Sequence, residues 1–170
     1  MLDIILKGQI LKLSDFELKE GNHFIAMQYY GLILNRTFLV LITDDYLIAL
    51  KVNGIVSVEV NHGNPITRKI TNSLAIKDDL ENPYSYAKNS FLNRLADKDI
   101  YSEDILKDSS CNFRIPKSDI LEVLYDKKKK WGMGSYPHDG KVFIKTNNKK
   151  IEFIILGQQS GEKIKNWIKK

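Results

Sequence analysis

A run of four lysines followed by a tryptophan is the segment of this sequence best suited to contact a partner. The run comprises Lys127, Lys128, Lys129, Lys130 and Trp131. Near an anionic membrane each lysine contributes about 1 kcal/mol of attraction, and Trp131, with the neighbouring Met133, has the character needed to insert at the membrane interface. In the alternative interpretation the segment is a solvated connection whose Trp131 folds back onto the core. The residue types are compatible with both interpretations, contact with a partner and a solvated connection.

Groups that could perform catalysis or bind a metal are dispersed along the chain. The three histidines, His23, His62 and His138, show neither HxxxH nor HxH spacing, so the sequence predicts no metal site. Cys111 is the only cysteine, and no residue type near it in sequence would activate a thiol. No acid–base pair is forced together by the sequence. We therefore expect a protein that is not an enzyme and has no cofactor.

The charge is unevenly distributed along the chain. The formal net charge is +5, but residues 111–170 contain 14 Lys and Arg against 6 Asp and Glu. A basic C-terminal part indicates an anionic partner, which is a membrane surface, an acidic protein or nucleic acid. A solvated, lysine-rich surface explains the same composition. Nucleic acid ranks last, since surface aromatics do not alternate with the basic residues as they do in single-strand binders.

The C-terminal part predicts a β-hairpin that would position this basic region. Segments 141–145 and 150–156 alternate between apolar and polar residues and flank an Asn-Asn pair at 147–148. Asparagine tolerates the positive φ of a two-residue turn. Such a turn places Ile144 opposite Ile151 on an apolar face, so turn and pattern agree.

The other face of the same hairpin carries two lysines. The predicted register places Lys145 opposite Lys150, and like charges in facing positions repel by a few tenths of a kcal/mol. An anion or an acidic partner would relieve this repulsion, and so would solvent screening. Both lysines therefore join the candidate contact residues.

After this hairpin the sequence predicts a capping helix near residues 160–169. Ser160 is a suitable N-cap residue. Ile164, Trp167 and Ile168 follow at i, i+3 and i+4 and form one apolar stripe. Because so short a helix is unstable alone, the stripe must pack on the sheet.

A second hairpin is predicted at Phe38–Val52, with Asp44-Asp45 as its turn. This register pairs Leu39 with Leu50 on one face and leaves the other face apolar as well, so the sheet must be covered on both sides. The apolar side of a helical pattern is formed by Tyr84, Ala87, Phe91, Leu92 and Leu95, which predicts a helical insertion at 83–107 that provides the outer cover. The alternative is that this segment forms a dimer interface. Further strands are expected at His23–Leu34, Ile55–Val60, Ile66–Thr71 and Ile120–Tyr125.

Three stretches resemble the pleckstrin-homology superfold, in particular bacterial PH-like and GRAM-like domains. They are Leu18–Ala26, Leu39–Ile48 and Phe113–Val123, which are similar to the entry to the first strand, the following hairpin and the "IPxsdI" strand of that family. Tyr46 departs from the basic residue usual at its position. In lipid-binding members, cations cluster on the first two strands, where this chain has only Arg36, so the resemblance implies no head-group site.

The resemblance implies a mainly β (β-rich α+β) domain spanning residues 1–170. It would be a PH-like barrel of about seven antiparallel strands in two sheets, with the helical insertion near 83–107 and the capping helix near 160–169. We expect a non-catalytic interaction module that docks on a protein or an anionic membrane surface, as a monomer or homodimer. The alternatives are a small-ligand carrier or enzyme using a barrel pocket and, third, a weak nucleic-acid binder.

Location is expected to be cytoplasmic, with peripheral membrane attachment possible. The N-terminal residues carry charges at Asp3 and Lys7, where a signal peptide needs an unbroken apolar stretch. No apolar run is long enough for a transmembrane helix, and a single cysteine fits a reducing compartment.

Overall fold

The computed structural model describes residues 10–32, 34–57, 65, 66, 69, 74–134 and 136–170. The strands are β1 (His23–Tyr29), β2 (Asn35–Ile42), β3 (Tyr46–Asn53), β4 (Phe113–Pro116), β5 (Ile120–Asp126), β6 (His138–Thr146) and β7 (Lys150–Leu156). The α-helices are α1 (Asn89–Leu95), α2 (Glu103–Lys107) and α3 (Gly161–Lys169), and short 3₁₀ turns lie at Leu13–Asp15, Pro83–Tyr86 and Lys117–Asp119. None of the described helices is long and apolar enough to cross a membrane.

The seven strands form one antiparallel sheet in the order β4-β3-β2-β1-β7-β6-β5, curled into a half-barrel. The prediction of two sheets is therefore wrong, although the predicted strand number is confirmed. The two groups of strands are joined where Ala26 and Met27 of β1 pair with Ile155 and Ile154 of β7. This short ladder makes the sheet continuous, and strand twist curls it instead of splitting it.

Both predicted hairpins are confirmed in register, but the positive φ expected at the Asn147-Asn148 turn is wrong, since among the described residues only glycines have positive φ. In β6–β7, Ile144 lies opposite Ile151, and Lys145 lies opposite Lys150. In β2–β3, Leu39 lies opposite Leu50. The agreement has a local cause, since the turn length and the period-2 pattern together fix which side chains face each other.

The inner face of the half-barrel is filled by an apolar core. Phe24, Phe38 and Phe153 are at most 1% exposed, and the rings of Phe24 and Phe38 both meet Phe153 in edge-to-face contacts. Ile164 and Ile168 of α3 belong to the same cluster. The C-terminal helix therefore caps the inner face, as its stripe predicts.

The outer face of β1–β3 is covered by the insertion. Leu95 of α1, Ile105 of α2 and the intervening Ile100 are fully buried, in one cluster with Leu39 and Leu50. The predicted cover is thus confirmed.

One detail of that prediction is wrong. Tyr84 was assigned to the packed side, yet it is 47% exposed, and Tyr86 is buried in its place. Because residues 83–86 form a 3₁₀ turn, their side chains do not follow the α-helical period. Tyr84 instead contacts the imidazole of His23.

A carboxylate links the start of α3 to the sheet. Asp139 accepts hydrogen bonds from the Tyr125 hydroxyl and from the Gly161 N–H, both at 2.8 Å. Ser160 accepts from the Lys163 N–H, as an N-cap residue does. Two neighbouring acceptors therefore satisfy backbone donors that the helix itself leaves unpaired.

The weaker strand predictions have mixed outcomes. The strand from His23 ends at Tyr29, and the described residues 30–32 and 34 are not part of a strand. Residues 55–57 are not extended in a strand, and 65, 66 and 69 are helical, so the strands predicted at Ile55–Val60 and Ile66–Thr71 are wrong wherever the chain is described. The remainder of both segments lies outside the described residues. The strand at Ile120–Tyr125 is confirmed as β5.

Candidate functional site

The basic loop, which we define as residues 127–137 between β5 and β6, is anchored at its base. Met133 is 2% exposed and Tyr136 is 4% exposed, and both belong to the outer core cluster. The hydroxyl of Tyr29 donates to the carbonyl of Gly132 at 3.1 Å. Lys130 forms an ion pair with Glu152 of β7. The loop is therefore seated on the sheet at both ends of its Lys130–Met133 segment.

This anchoring directs Trp131 outward, where it is 82% exposed. The interpretation in which Trp131 folds back onto the core is wrong, and so is the expectation that Met133 is available at the surface. Lys130 and Met133 are held against the sheet, and Trp131, which lies between them in the sequence, faces solvent. An indole so exposed is unusual for a folded domain and makes this loop a candidate contact surface.

Three of the four lysines of the basic loop are exposed to solvent, as the Trp131 indole is. Lys127, Lys128 and Lys129 are exposed, and within the described part of the chain none of them takes part in an ion pair. Asp126, directly before them, is instead paired with Lys141 at 3.0 Å. The Asp126 carboxylate nevertheless accepts the Lys128 N–H at 2.9 Å, and the charge of Lys128 contributes to the lowered pKa of Asp126, so this carboxylate offsets part of the positive charge.

A second exposed segment, the apical turn between β1 and β2 (described residues 30–32 and 34), leaves the sheet at the end opposite to that from which the basic loop leaves. The Tyr30 N–H donates to the carbonyl of Leu34 at 3.0 Å, which closes the turn and places Leu32 at its tip. Leu32 is 88% exposed, Tyr30 50% and Leu34 40%. The turn directly follows Tyr29, whose hydroxyl holds the basic loop.

The sequence did not identify these apical residues. Their apolar run reads as a continuation of the strand that begins at His23, because periodicity cannot distinguish a buried from an exposed apolar residue in so short a segment. Gly31 was the available signal, since a glycine within a strand pattern often marks an interruption.

The remaining candidate lysines lie elsewhere on the same outer face. Lys145, Lys149 and Lys150 border a shallow hollow of about 270 Å³ beside Phe143. The ammonium group of Lys150 lies 4.4 Å from the centre of the Phe143 ring, within the range of a cation–π contact. Lys145 and Lys150 face each other as expected.

The structure separates the two groups of lysines. Asp126, which precedes the basic loop, lies opposite Lys141. Lys145 is four residues further along β6, a distance of about 13 Å at the usual rise of a strand. The predicted contact residues therefore form one group in the basic loop, Lys127–Lys129 with Trp131, and a second group around Lys145 and Lys150.

The described residues that could take part in catalysis or metal binding do not come together in one site. Among the described residues no group of three or more His, Cys, Asp or Glu could hold a metal ion, and His62 lies outside the described residues. Burial by itself would raise the pKa of the Cys111 thiol, but Arg36, which donates to its sulfur at 2.9 Å, lowers that pKa below its ordinary value. Cys111 faces Arg36 and no imidazole contacts it among the described residues, so this pair lacks a general base.

The histidines with described environments are structural. Burial lowers the pKa of His138, and the charge of nearby Lys129 lowers it further. The His138 Nδ1 accepts the Gly140 N–H at 3.2 Å, which requires an unprotonated Nδ1. Burial also lowers the pKa of His23, whose ring bridges the carbonyl of Lys19 and the hydroxyl of Tyr84.

No protein-family model, curated protein or solved structure matches this chain. The resemblance to PH-like domains therefore depends on the three sequence stretches alone. The structure shows a mainly β half-barrel with a C-terminal helix, and fold by itself does not determine function.

Proposed function

We propose that this chain is a non-catalytic interaction module of PH-like fold that docks on an anionic surface of a protein or membrane. The contact residues are Lys127–Lys129 and Trp131 of the basic loop. The observation that carries the proposal is the 82% exposure of Trp131 beside three lysines with no ion-pair partner in the described chain. Lys145 and Lys150 extend the positive field along the outer face.

The exposed indole has enough apolar area to drive docking. A tryptophan side chain buries about 200 Å² when covered, so the exposed part corresponds to roughly 4 kcal/mol as an upper limit at about 25 cal/mol per Å². Three lysines add about 1 kcal/mol each against an anionic surface. Because Met133 and Tyr136 already fix the loop, little conformational entropy is lost on binding.

Two charge-reversed variants with equal charge test the proposal. One is Lys127→Glu/Lys128→Glu/Lys129→Glu in the basic loop. The matched control, Lys145→Glu/Lys149→Glu/Lys150→Glu, makes the same charge change on the second group. Binding is measured by sedimentation with phosphatidylserine-containing vesicles and by titration with a polyglutamate peptide.

We expect the wild type to bind at least one of these probes, and the basic-loop variant to lose far more affinity than the control variant. An equal loss in both variants would show that the attraction is a long-range effect of net charge and not a contact of the loop. A wild-type protein that binds neither probe overturns the proposal.

The hollow beside Phe143 supports a second candidate function, binding of a small anion. Lys145 and Lys150 face each other across the strands and form no ion pair with a described carboxylate, although Glu122 lies opposite Lys145 and also borders the hollow. The neighbouring ring of Phe143 offers an apolar wall. Titration with inorganic phosphate, monitored by NMR amide shifts in β6 and β7, tests it. Shifts that persist unchanged in Lys145→Glu/Lys150→Glu would refute the site.

A further inference from the structure

Part of the outer face of the sheet carries apolar side chains that the described chain leaves uncovered. The insertion covers β1–β3, and the base of the basic loop packs into the same cluster. Phe143 points to this face, because it alternates along β6 with Val142 and Ile144 of the inner core. Leu124 lies opposite it in β5 and is 46% exposed. Among the described residues neither belongs to a buried cluster, so together they form the apolar floor of the hollow.

The hollow lies between the two groups of cations. The basic loop begins after Asp126, which lies opposite Lys141, two residues from Phe143 along β6. Lys145 is two residues from Phe143 in the other direction, with Lys150 opposite it. The order along the strands is therefore positive, apolar and positive, and the two ends are about 13 Å apart at the usual rise of a strand.

The carboxylates of this face leave an excess of positive charge at each end. Glu152 and Asp126 form ion pairs with Lys130 and Lys141. Glu122 is the one carboxylate among the described residues that line the hollow, against three lysines. At the other end, Asp126 offsets only part of the charge of the three exposed lysines of the basic loop. Both ends therefore attract anionic groups.

The basic loop is fixed beside this path and adds an exposed aromatic side chain to it. Lys130, directly before Trp131, forms an ion pair with Glu152 of β7, and Glu152 lies opposite Phe143. Neighbouring strands are about 5 Å apart, so the loop reaches the strand next to the Phe143 ring. Trp131 stands at the flank of the hollow and is free to cover a bound chain.

We propose that this face binds an extended acidic segment of a protein partner, in which one bulky apolar side chain lies between two groups of carboxylates. The apolar side chain fills the hollow over Leu124 and Phe143. The carboxylates pair with Lys127–Lys129 at one end and with Lys145 and Lys150 at the other. Four residues of extended chain, at about 3.3 Å each, span the distance between the ends. This inference rests on the proposed function and deepens it, because it names the partner and the order of its residues.

The face favours a peptide over a bilayer or a nucleic acid. Its apolar groups lie in a hollow between cations, which a side chain can enter and a flat bilayer cannot reach. Glu122 inside the hollow repels phosphate groups but can accept hydrogen bonds from the backbone N–H groups of a peptide. The Lys150 ammonium lies 4.4 Å from the centre of the Phe143 ring, so it occupies a face on which a base would stack.

Three short peptides of equal charge, acetylated and amidated at their ends, test the order of residues. The ordered peptide is Glu-Glu-Ser-Phe-Ser-Glu-Glu, and the second peptide has Ser in place of Phe. The third, Glu-Glu-Glu-Glu-Ser-Ser-Phe, has the composition of the first in a different order. Binding is measured by amide NMR titration of the wild type, of Leu124→Gln and of Leu121→Gln. Leu121 is the matched control, since it lies on the same strand, is 58% exposed and does not line the hollow.

We expect the wild type to bind the ordered peptide about tenfold more tightly than the peptide without phenylalanine, as partial burial of one aromatic side chain implies. It should also prefer the ordered peptide to the rearranged one. Leu124→Gln should remove most of this preference without changing the net charge, and Leu121→Gln should keep it. The largest amide shifts should lie at Leu124 and Phe143.

Three results would overturn the inference while leaving the proposed function intact. Equal affinity for the three peptides would show that charge alone acts. A preference for the ordered peptide that Leu124→Gln leaves unchanged would place the phenylalanine outside the hollow. Binding to phosphatidylserine-containing vesicles but to none of the peptides would identify a bilayer as the partner. Failure to bind the peptides, polyglutamate and the vesicles alike rejects the proposed function itself.

Discussion

Replacing Gly161 with alanine tests how closely the terminal helix packs on the sheet. A Cβ at this position would lie 2.3 Å from Cε2 and 2.7 Å from Cδ2 of Tyr125, and 2.9 Å from the carbonyl oxygen of Asp139. Real Cβ atoms do not approach other heavy atoms so closely. Either α3 must move away from β5 or the ring of Tyr125 must turn.

The magnitude follows from two opposing effects. Alanine favours a helix over glycine by up to about 1 kcal/mol, which alone would stabilise α3. Overpacking costs about 1–3 kcal/mol, and turning the ring also weakens the hydrogen bond from Tyr125 to the Asp139 carboxylate, a charged acceptor for which such bonds are worth about 1.5–3 kcal/mol. We expect Gly161→Ala to be destabilising by about 2 kcal/mol.

Urea denaturation followed by circular dichroism measures the change in the free energy of unfolding. In thermal denaturation the same change should lower the melting temperature by about 4–8 °C for a chain of this size. A double-mutant cycle combines Gly161→Ala with Tyr125→Ala, which removes the ring while the contact with the Asp139 carbonyl remains. In that background Gly161→Ala should cost less. A stabilised single variant, or a cost that does not change when the ring is absent, would refute the packing argument.

Three further changes test other parts of the structure. Burial lowers the pKa values of His23 and His138 below the ordinary 6.5, so the unfolded chain takes up protons first as the pH falls. Stability should therefore be full above about pH 6.5 and decrease as the pH falls below it, with a shallower decrease in urea midpoint for His138→Gln, and a flat midpoint would contradict this. The Thr37 hydroxyl is buried without a hydrogen-bond partner among the described residues, so Thr37→Val should raise the free energy of unfolding by up to about 1 kcal/mol, and a loss in urea denaturation would argue against it. Leu95→Ala should cost about 2–5 kcal/mol because Leu95 is fully buried under the insertion, while Leu121→Ala should change stability by less than about 0.5 kcal/mol; equal melting temperatures would argue against the insertion as a cover.

The parts of the fold that could be predicted are those with local causes. The register of β6–β7 follows from an Asn-Asn turn and alternating residues, and α3 follows from one cap and one stripe. The apolar residues on both faces of β2–β3 required two covers, and the helical spacing near Leu95 identified one of them. In each case turn chemistry and hydrophobic period indicated the same answer.

The parts that could not be predicted depend on contacts between distant residues. One sheet forms in place of two because Ala26 and Met27 pair with residues of β7, and no local pattern encodes that ladder. The sequence allowed Trp131 either to insert at a partner surface or to fold back onto the core, and the outcome depends on Lys130 and Met133, which occupy the sites against the sheet. Leu32 was assigned to a strand because of its residue type, whereas its exposure is set by the turn around it.

The pairing of β1 with β7 also affects how the chain folds during synthesis. The strands β1, β2 and β3 leave the ribosome early, but the neighbour that continues their sheet is made about 100 residues later, which takes roughly 5–20 s at typical elongation rates. Until then the free edge of β1 and two apolar faces are available to other nascent chains. Translational arrest before β7 therefore creates the species most prone to aggregation, and release of the final strand is the committed step of folding.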